Sequence, residues 1–267
     1  ALAFRLKVIA HIQQGSFSGL LTNSGCLQRQ YIHWLYNRFQ AVIVLSDIFV
    51  SHFSFIPKNQ VRIVANNGGK YGGVTPSAPK EVVRVLYLSN LMEQKGFLQL
   101  IKAMDRLSQK YELVLAGNFI TEKGGHHEAE EALEDAMHRA IEDLKDPDRV
   151  QYMGFVGGRE KEALLSGSHV LVLPSRYQHE AQPICVAEAM LAGIPVVATQ
   201  HRDLVNMVDD TRGKTIKNTG AETIAQGIMA VCEDPDVWTR KSLAARSFAR
   251  ANYSEDRYLE QLGRILS

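Results

Sequence analysis

The chain has 267 residues, of which 45% are hydrophobic and 22% charged, with a formal net charge of +1. That composition suits one large or two modest soluble domains with a sizeable core, and it excludes the basic field of a nucleic-acid binder and the acidic block of a solvating tail. Cys26, Cys185 and Cys232 are odd in number and widely spaced, which excludes a disulfide framework or thiolate metal spacing and favours a reducing, cytoplasmic compartment.

The opening "ALAFRLKVIAH" reads as a core strand over 4–10 and not as a signal peptide. The chain begins at Ala1, without methionine, and reads as part of a longer protein. A helical stretch around "CLQRQYIHWLYNRF" follows, then a strand at 41–46, a short helix near "DIFVSHF" and a strand at 61–66. Residues 66–79, "NNGGKYGGVTPSAP", are the one stretch rich in Gly, Pro and Ser, and read as a linker. Beyond it, strands at 83–89, 111–117, 150–154, 169–175 and 195–199 alternate with helices at 95–109, 127–144, 159–166 and 183–192. Helices near 221–232, 236–250 and 254–266 end the chain. Such alternation predicts parallel strands joined by crossovers, and the apolar strands predict a sheet covered on both faces. Three strands before the linker are too few for a doubly wound domain, so the expectation is a whole Rossmann-like domain behind a truncated one.

No apolar run reaches the roughly 18 residues of a membrane span. His126, His127, Glu130 and Glu131 offer an i, i+4 pattern, but HExxH is absent and the surroundings are highly charged, so a solvated helix is expected there. "GFVGG" at 154–158 lacks the spacing of a nicotinamide-binding turn.

The chemistry concentrates in "SRYQHEAQPICVAEAMLAGIPVVATQ", residues 175–200. A buried charge without a partner is costly, yet this stretch carries Glu188 inside an apolar helical run. Pro183 suits the first helical position, where an N–H has no acceptor anyway. That puts Glu180 in the loop at the carboxyl edge of the sheet, where open α/β sheets bind ligands. The backbone N–H groups of Ile184 and Cys185 then form an anion-binding helix start. Two carboxylates flanking such a start suit hydroxyl-rich groups on either side of a diphosphate, the layout of a nucleotide sugar.

"E-AQPICVA-E-AMLAGIPVVAT" resembles the E-x7-E motif of family-four, GT-B-fold retaining glycosyltransferases. "LYLSNLMEQKGFLQLIKAM", "ELVLAGN", "VQYMGFVGGREKEALLSGSHVLVLPS", "VLSD…VRIVANNG" and "VIAHIQQGSFS" resemble further family segments in order. The resemblance implies a partial acceptor-side domain at 1–75, a nucleotide-sugar-binding domain at 80–250, and a C-terminal helix at 251–267 crossing back to the first domain. It implies that Glu188 binds ribose hydroxyls, Glu180 contacts the transferred sugar, Lys95 neutralises the leaving diphosphate, and His11 faces the sugar from the other domain. Ser89 and Asn90 stand near the place where the family usually has an arginine, and "QHRD" at 200–203 replaces a common Gly–Gly. The implied activity is transfer of a sugar to an acceptor hydroxyl with retention of configuration. The donor would be a UDP- or GDP-sugar, with no metal or other cofactor. The acceptor would be a glycan, a lipid-linked molecule or a small molecule, at the cytoplasmic face of a membrane or free of it. A non-catalytic nucleotide- or sugar-binding module, or a sugar-nucleotide hydrolase or epimerase on the same fold, are the alternatives.

Overall fold

The computed structural model describes residues 7–13, 15–70, 76–121 and 127–267. The chain forms two parallel sheets. The smaller has the order β1 (Ile9–Ile12), β2 (Ala41–Val44), β3 (Val61–Ile63). Helices α1 (Phe17–Asn23) and α2 (Cys26–Tyr36) lie between β1 and β2. "AVIV" is buried at every position, as a central parallel strand must be. "DIFVSHF" winds as a 3-10 helix over Asp47–Phe53 and places Phe49 and Phe53 in the first domain's core.

The larger sheet holds β4 (Val83–Leu88), β5 (Tyr111–Ala116), β6 (Val150–Tyr152), β7 (Val170–Leu173), β8 (Val196–Thr199) and β9 (Gly213–Ile216). Its strand order is β6-β5-β4-β7-β8-β9, parallel throughout. From β4 the chain adds strands first on one side and then, from β7, on the other, so the crevice between the carboxyl ends of β4 and β7 is the switch point at which such sheets take ligands. The covering helices are α3 (Phe97–Ala103), α4 (His127–Glu142), α5 (Gly158–Ser166), α6 (Ile184–Ala192), α7 (Leu204–Met207), α8 (Ala221–Cys232) and α9 (Pro235–Tyr253). Tyr87, Tyr111, Phe97 and Trp238 lie fully buried in this domain's core.

Several boundaries differ from the sequence reading. The first strand begins at Ile9; residues 4–6 of the expected strand lie outside the described residues, as do 71–75 of the linker and His126. The strand expected over 61–66 ends at Ile63, after which Val64 N–H still donates to Val44 O and the chain then turns toward the second domain. The helix expected over 95–109 runs only from Phe97 to Ala103, then tightens into a 3-10 turn over Met104–Arg106. Buried Arg149 donates to the Met104 and Ser108 carbonyls, partners that the tightened end supplies. Strand β9 and helix α7 were not expected at all. His127 makes an exposed i, i+4 contact with Glu131 at 3.1 Å.

Helix α10 (Glu255–Leu266) closes the chain. Ser254 caps it, its hydroxyl accepting from Arg257 N–H, with Glu255 and Asp256 in the first turn. It reaches back to the first domain: the Tyr258 ring stacks near that of His11, with centroids 6.4 Å apart. Glu255 pairs with Lys70 at 2.7 Å. The packing is shallow, and no residue of α10 is fully buried. Among the described residues, no helix is long and apolar enough to cross a membrane.

Candidate active site

Lys95 and Glu180 reach the switch point from opposite sides. Lys95 ends a 3-10 turn after β4, and Gly96 follows it with φ of +79°. A Cβ on Gly96 would lie 2.5 Å from Pro174 O, so only glycine lets the lysine turn seat on the chain leaving β7. Lys95 Nζ lies 3.5 Å from Glu180 Oε2, with the two side chains 12% and 6% exposed. Ser175 Oγ donates to the same carboxylate oxygen at 2.8 Å, and Lys95 Nζ donates to Ser89 Oγ at 3.1 Å. Ser89 therefore steadies Lys95 at the place where the resembled family usually carries an arginine. Lys95 also sits 5.7 Å from the centroid of the Tyr177 ring. A buried carboxylate with a cation and a hydroxyl beside it is a polar contact surface held ready at low dielectric.

Asn90 follows Ser89 at the exposed end of β4, where its carbonyl accepts from Tyr87 Oη at 2.9 Å. Pro183 takes the N-cap place and not the first helical position expected of it, which falls to Ile184. Its extended ψ of 119° is non-helical while its carbonyl already accepts from Val186 and Ala187, as an N-cap does. Ile184 and Cys185 are thus the first two helical residues, whose N–H groups have no acceptor within the helix. Burial pushes the Cys185 thiol up to about 12, countered in part by Lys95, so it stands as a neutral thiol.

Glu188 lies in α6, surrounded by buried apolar helix residues. Its charge is answered by Lys161 of α5, whose Nζ donates to Glu188 Oε1 at 2.6 Å.

The first domain closes over this edge. A cavity of about 400 Å³ is lined by Gln13, Ser16 and Asn66 from one side, and by Tyr177, His179, Glu180, Gln182 and Ile184 from the other. Ala181 packs into the first domain's core with Phe17, Val44 and Phe53. A Cβ on Gly68 would meet Leu191 Cδ1 at 2.7 Å, so this backbone lies directly on α6. Gln182 accepts from Asn66 N–H and donates to Asp203 Oδ2 at 3.0 Å and to Leu45 O at 3.4 Å. In "QHRD", Arg202 adopts φ of +50°, a left-handed turn made here without glycine.

His11 stands apart from the other expected residues. Gln13, two places on, lines the cavity, whereas the His11 ring faces Tyr258 and its Nε2 is buried with no hydrogen-bond partner among the described residues. Burial lowers its pKa and keeps the imidazole neutral. Sequence reasoning missed Lys161, His179, Gln182 and Asn66. Gln182 and His179 lay inside the quoted motif. Lys161 and Asn66 lay inside quoted segments, but only the tertiary fold shows what they meet.

Residues 76–250 match the family model described as "Glycosyl transferases group 1". The chain is 24% identical over 210 residues to a putative colanic acid biosynthesis glycosyltransferase, WcaL, of Escherichia coli, covering 73% of this chain and 48% of that protein. It is 29% identical over 153 residues to an uncharacterised glycosyltransferase of Methanocaldococcus jannaschii, covering 56% of this chain and 36% of that protein. It thus spans half or less of the length of these relatives. Among solved structures, Anabaena HepE in complex with UDP and glucose superposes with a TM-score of 0.76 at 18% identity, over 99% of this chain and 72% of that one. Sucrose-phosphate synthase of Thermosynechococcus elongatus gives 0.76 at 20% identity, over 99% and 69%. The two-sheet architecture is that of the GT-B fold, and the chain belongs to the group 1 glycosyltransferase family.

Proposed function

We propose that this chain forms the donor-binding side of a retaining glycosyltransferase that takes a sugar from a nucleotide sugar. The carrying observation is the meeting of Lys95 and Glu180 beside the start of α6 at the sheet's switch point, where Glu180 and Ile184 line a cavity that the first domain closes. HepE was solved with UDP and with UDP-glucose, which supports a UDP-sugar as the donor. GDP-sugars stay in the test.

In this reading the diphosphate sits on the α6 start, beside Lys95 and Asn90. The Ile184 and Cys185 N–H groups and the Lys95 ammonium stabilise the charge that grows on the leaving oxygen. Glu180 accepts from hydroxyls of the transferred sugar, and Glu188 from ribose hydroxyls. The acceptor oxygen attacks the anomeric carbon from the face the diphosphate leaves, the carbon–oxygen bond to the phosphate breaks, and that phosphate oxygen takes the acceptor's proton. The protein supplies position and charge; no metal is assigned a role. The Gln13 and Ser16 side of the cavity is where an acceptor, a glycan or a lipid-linked hydroxyl, would approach. Its location is proposed to be cytoplasmic, on or near the inner face of a membrane.

The test is a thermal-shift screen of UDP-, GDP- and ADP-sugars, followed by turnover of a labelled donor with and without acceptors. A ligand at 100 times its dissociation constant stabilises by about 2.7 kcal/mol. Binding without turnover indicates a non-catalytic module, and turnover without acceptor indicates a hydrolase or epimerase. Absence of any nucleotide-dependent shift would reject the proposal.

A further inference from the structure

The near-neutral total charge of the chain conceals a split. Residues 1–70 hold seven lysines and arginines against one acidic residue, Asp47, whereas residues 71–267 hold 23 against 28. Neither α1 nor α2 contains an acidic residue. Helix α2 also presents to solvent a stripe that a helix ordinarily buries. Leu27, Tyr31 and Trp34, at i, i+4 and i+7, are 82%, 61% and 46% exposed, while Ile32 on the other side of the helix is buried in the first domain's core. A single exposed apolar residue is ordinary, but a continuous row of three with two aromatic rings marks a contact surface. Cations stand beside it. The Arg38 guanidinium lies 3.8 Å from the centroid of the Trp34 ring. Gln60 Nε2 donates to Phe39 O at 2.7 Å, which ties the short turn carrying Lys58 to the end of α2.

We propose that this stripe docks the first domain on a membrane surface rich in anionic phospholipid, with Leu27, Tyr31 and Trp34 at the level of the headgroups and Arg38 and Lys58 against the lipid phosphates. This rests on the membrane location proposed above and gives that location a surface. The charges are complementary. A domain with one acidic residue is drawn to an anionic leaflet, where each lysine or arginine near the surface adds to binding, while the acidic remainder of the chain is repelled. Apolar burial and charge then act together, as they do for helices that lie in the interface plane. Tyr and Trp suit that level because each ring is apolar with a polar edge. A nucleic-acid strand fits less well, because it stacks its bases on open aromatic faces. Here Tyr31 and Trp34 stack on each other with centroids 5.8 Å apart, and Trp34 is engaged by Arg38 as well. Held in this way, the acceptor-side domain meets lipid and the donor-side domain stays in water, the arrangement suited to a water-borne nucleotide sugar and an acceptor carried in the membrane.

The experiment sediments the chain with vesicles of phosphatidylcholine alone and of equimolar phosphatidylcholine and phosphatidylglycerol. The expected result is binding to the mixed vesicles that weakens as salt rises, and little binding to the neutral ones. Trp34 supplies a second readout. The chain has two tryptophans and Trp238 is 2% exposed, so a blue shift of emission on vesicle addition reports Trp34 and is abolished in Trp34→Phe. Leu27→Ser should weaken binding about tenfold, and Arg38→Gln and Lys58→Gln about fivefold each. The exposure of Leu27 lets Leu27→Ser fold, and Tyr31→Ser serves as the second variant of the stripe. Binding that survives both serine variants with no change in Trp34 emission keeps the membrane location and overturns the stripe. No binding of the wild-type chain to either vesicle overturns the location and the inference together. A mass that doubles with concentration and reverts in Leu27→Ser, without vesicle binding, gives the face to a second copy, and retention of single-stranded RNA in place of vesicles gives it to nucleic acid; either result overturns the inference. The nucleotide-sugar screen reads the donor assignment independently of all of these outcomes.

Discussion

Asn66 and Gln182 hold each other by two hydrogen bonds: Asn66 N–H donates to Gln182 Oε1 at 2.6 Å, and Asn66 Nδ2 donates to Gln182 O at 2.7 Å. One residue lies just past the last strand of the first domain and the other just before the helix start of the candidate site. The Gln182 amide also donates to the fully buried Asp203. The pair sets the distance across which the cavity closes.

Gln182→Ala removes three partners at once: the Asn66 N–H loses its acceptor and Asp203 Oδ2 loses the Gln182 donor, while Asn206 still donates to Asp203 Oδ1. The expected loss is about 1–3 kcal/mol of stability per buried group left unpaired, read as a lower urea midpoint. Gln182→Glu keeps the shape but sets a second carboxylate against Asp203, so its stability should fall as pH rises from 4 to 7. A variant as stable as wild type across that range would show that the pair does not bind the domains together.

Glu188→Ala should weaken binding of free nucleoside diphosphate by about 1.5–3 kcal/mol, the worth of hydrogen bonds to a charged group. Calorimetric titration checks this. Lys161 is left with its charge at a partly exposed place, so the fold should survive.

The general plan was legible because it follows from period and punctuation. Apolar strands such as "AVIV" and "VLVL" leave little choice, and the glycine and proline cluster after Asn66 falls in the chain between the two sheets. Strand β9, "GKTI", was invisible because three of its four residues are polar or glycine. Gly213 is there for close approach to β8, where a Cβ would fall 2.1 Å from Val196 O. Of the site, Glu180, Glu188 and Lys95 were legible from a local motif and its setting. Lys161 and Asn66 were not, since each meets its partner across more than 25 intervening residues.

Lys95→Met tests the charge expected to act on the leaving diphosphate. It should lower kcat more than it raises KM, because the interaction strengthens as the leaving group gains charge. A pure KM effect would reduce Lys95 to a binding residue. Lys95 also neutralises buried Glu180, so the single variant strands a carboxylate. Breaking a buried pair costs about 3–5 kcal/mol. The double variant Lys95→Met/Glu180→Gln should be more stable than Lys95→Met while still lacking turnover.

Acid should destabilise the chain as pH falls below about 6.5, where unperturbed histidines take up a proton. Burial lowers the pKa of His11, His52 and His169 in the folded state. The unfolded chain then binds more protons in that window, so stability is full above the unfolded pKa and is lost as pH falls through the folded one. His169 has the clearest reason: its Nδ1 accepts from Arg84 N–H at 2.9 Å, a bond that protonation breaks. Asp203 runs the other way. Burial raises its pKa, so its contribution is lost as pH rises through the folded value. His169→Asn, which can still accept through its amide oxygen, should flatten the slope of urea midpoint against pH. An unchanged slope would place the effect elsewhere.

Helix α10 gives the last prediction. It was expected to cross back to the first domain, and Tyr258 does reach His11. Yet Leu259 and Leu266 remain 56% and 65% exposed. The helix therefore holds the two domains through a few contacts near its start, the Tyr258 ring and the Glu255–Lys70 pair, and its distal turns add little. An ion pair this exposed is screened by solvent and contributes little, so Tyr258 should dominate. Tyr258→Ala should lower the melting temperature and increase proteolysis near Lys70, whereas Leu266→Ser should leave both unchanged. If Leu266→Ser is the more damaging of the two, the distal stripe has a partner that contributes more to stability than the His11 contact.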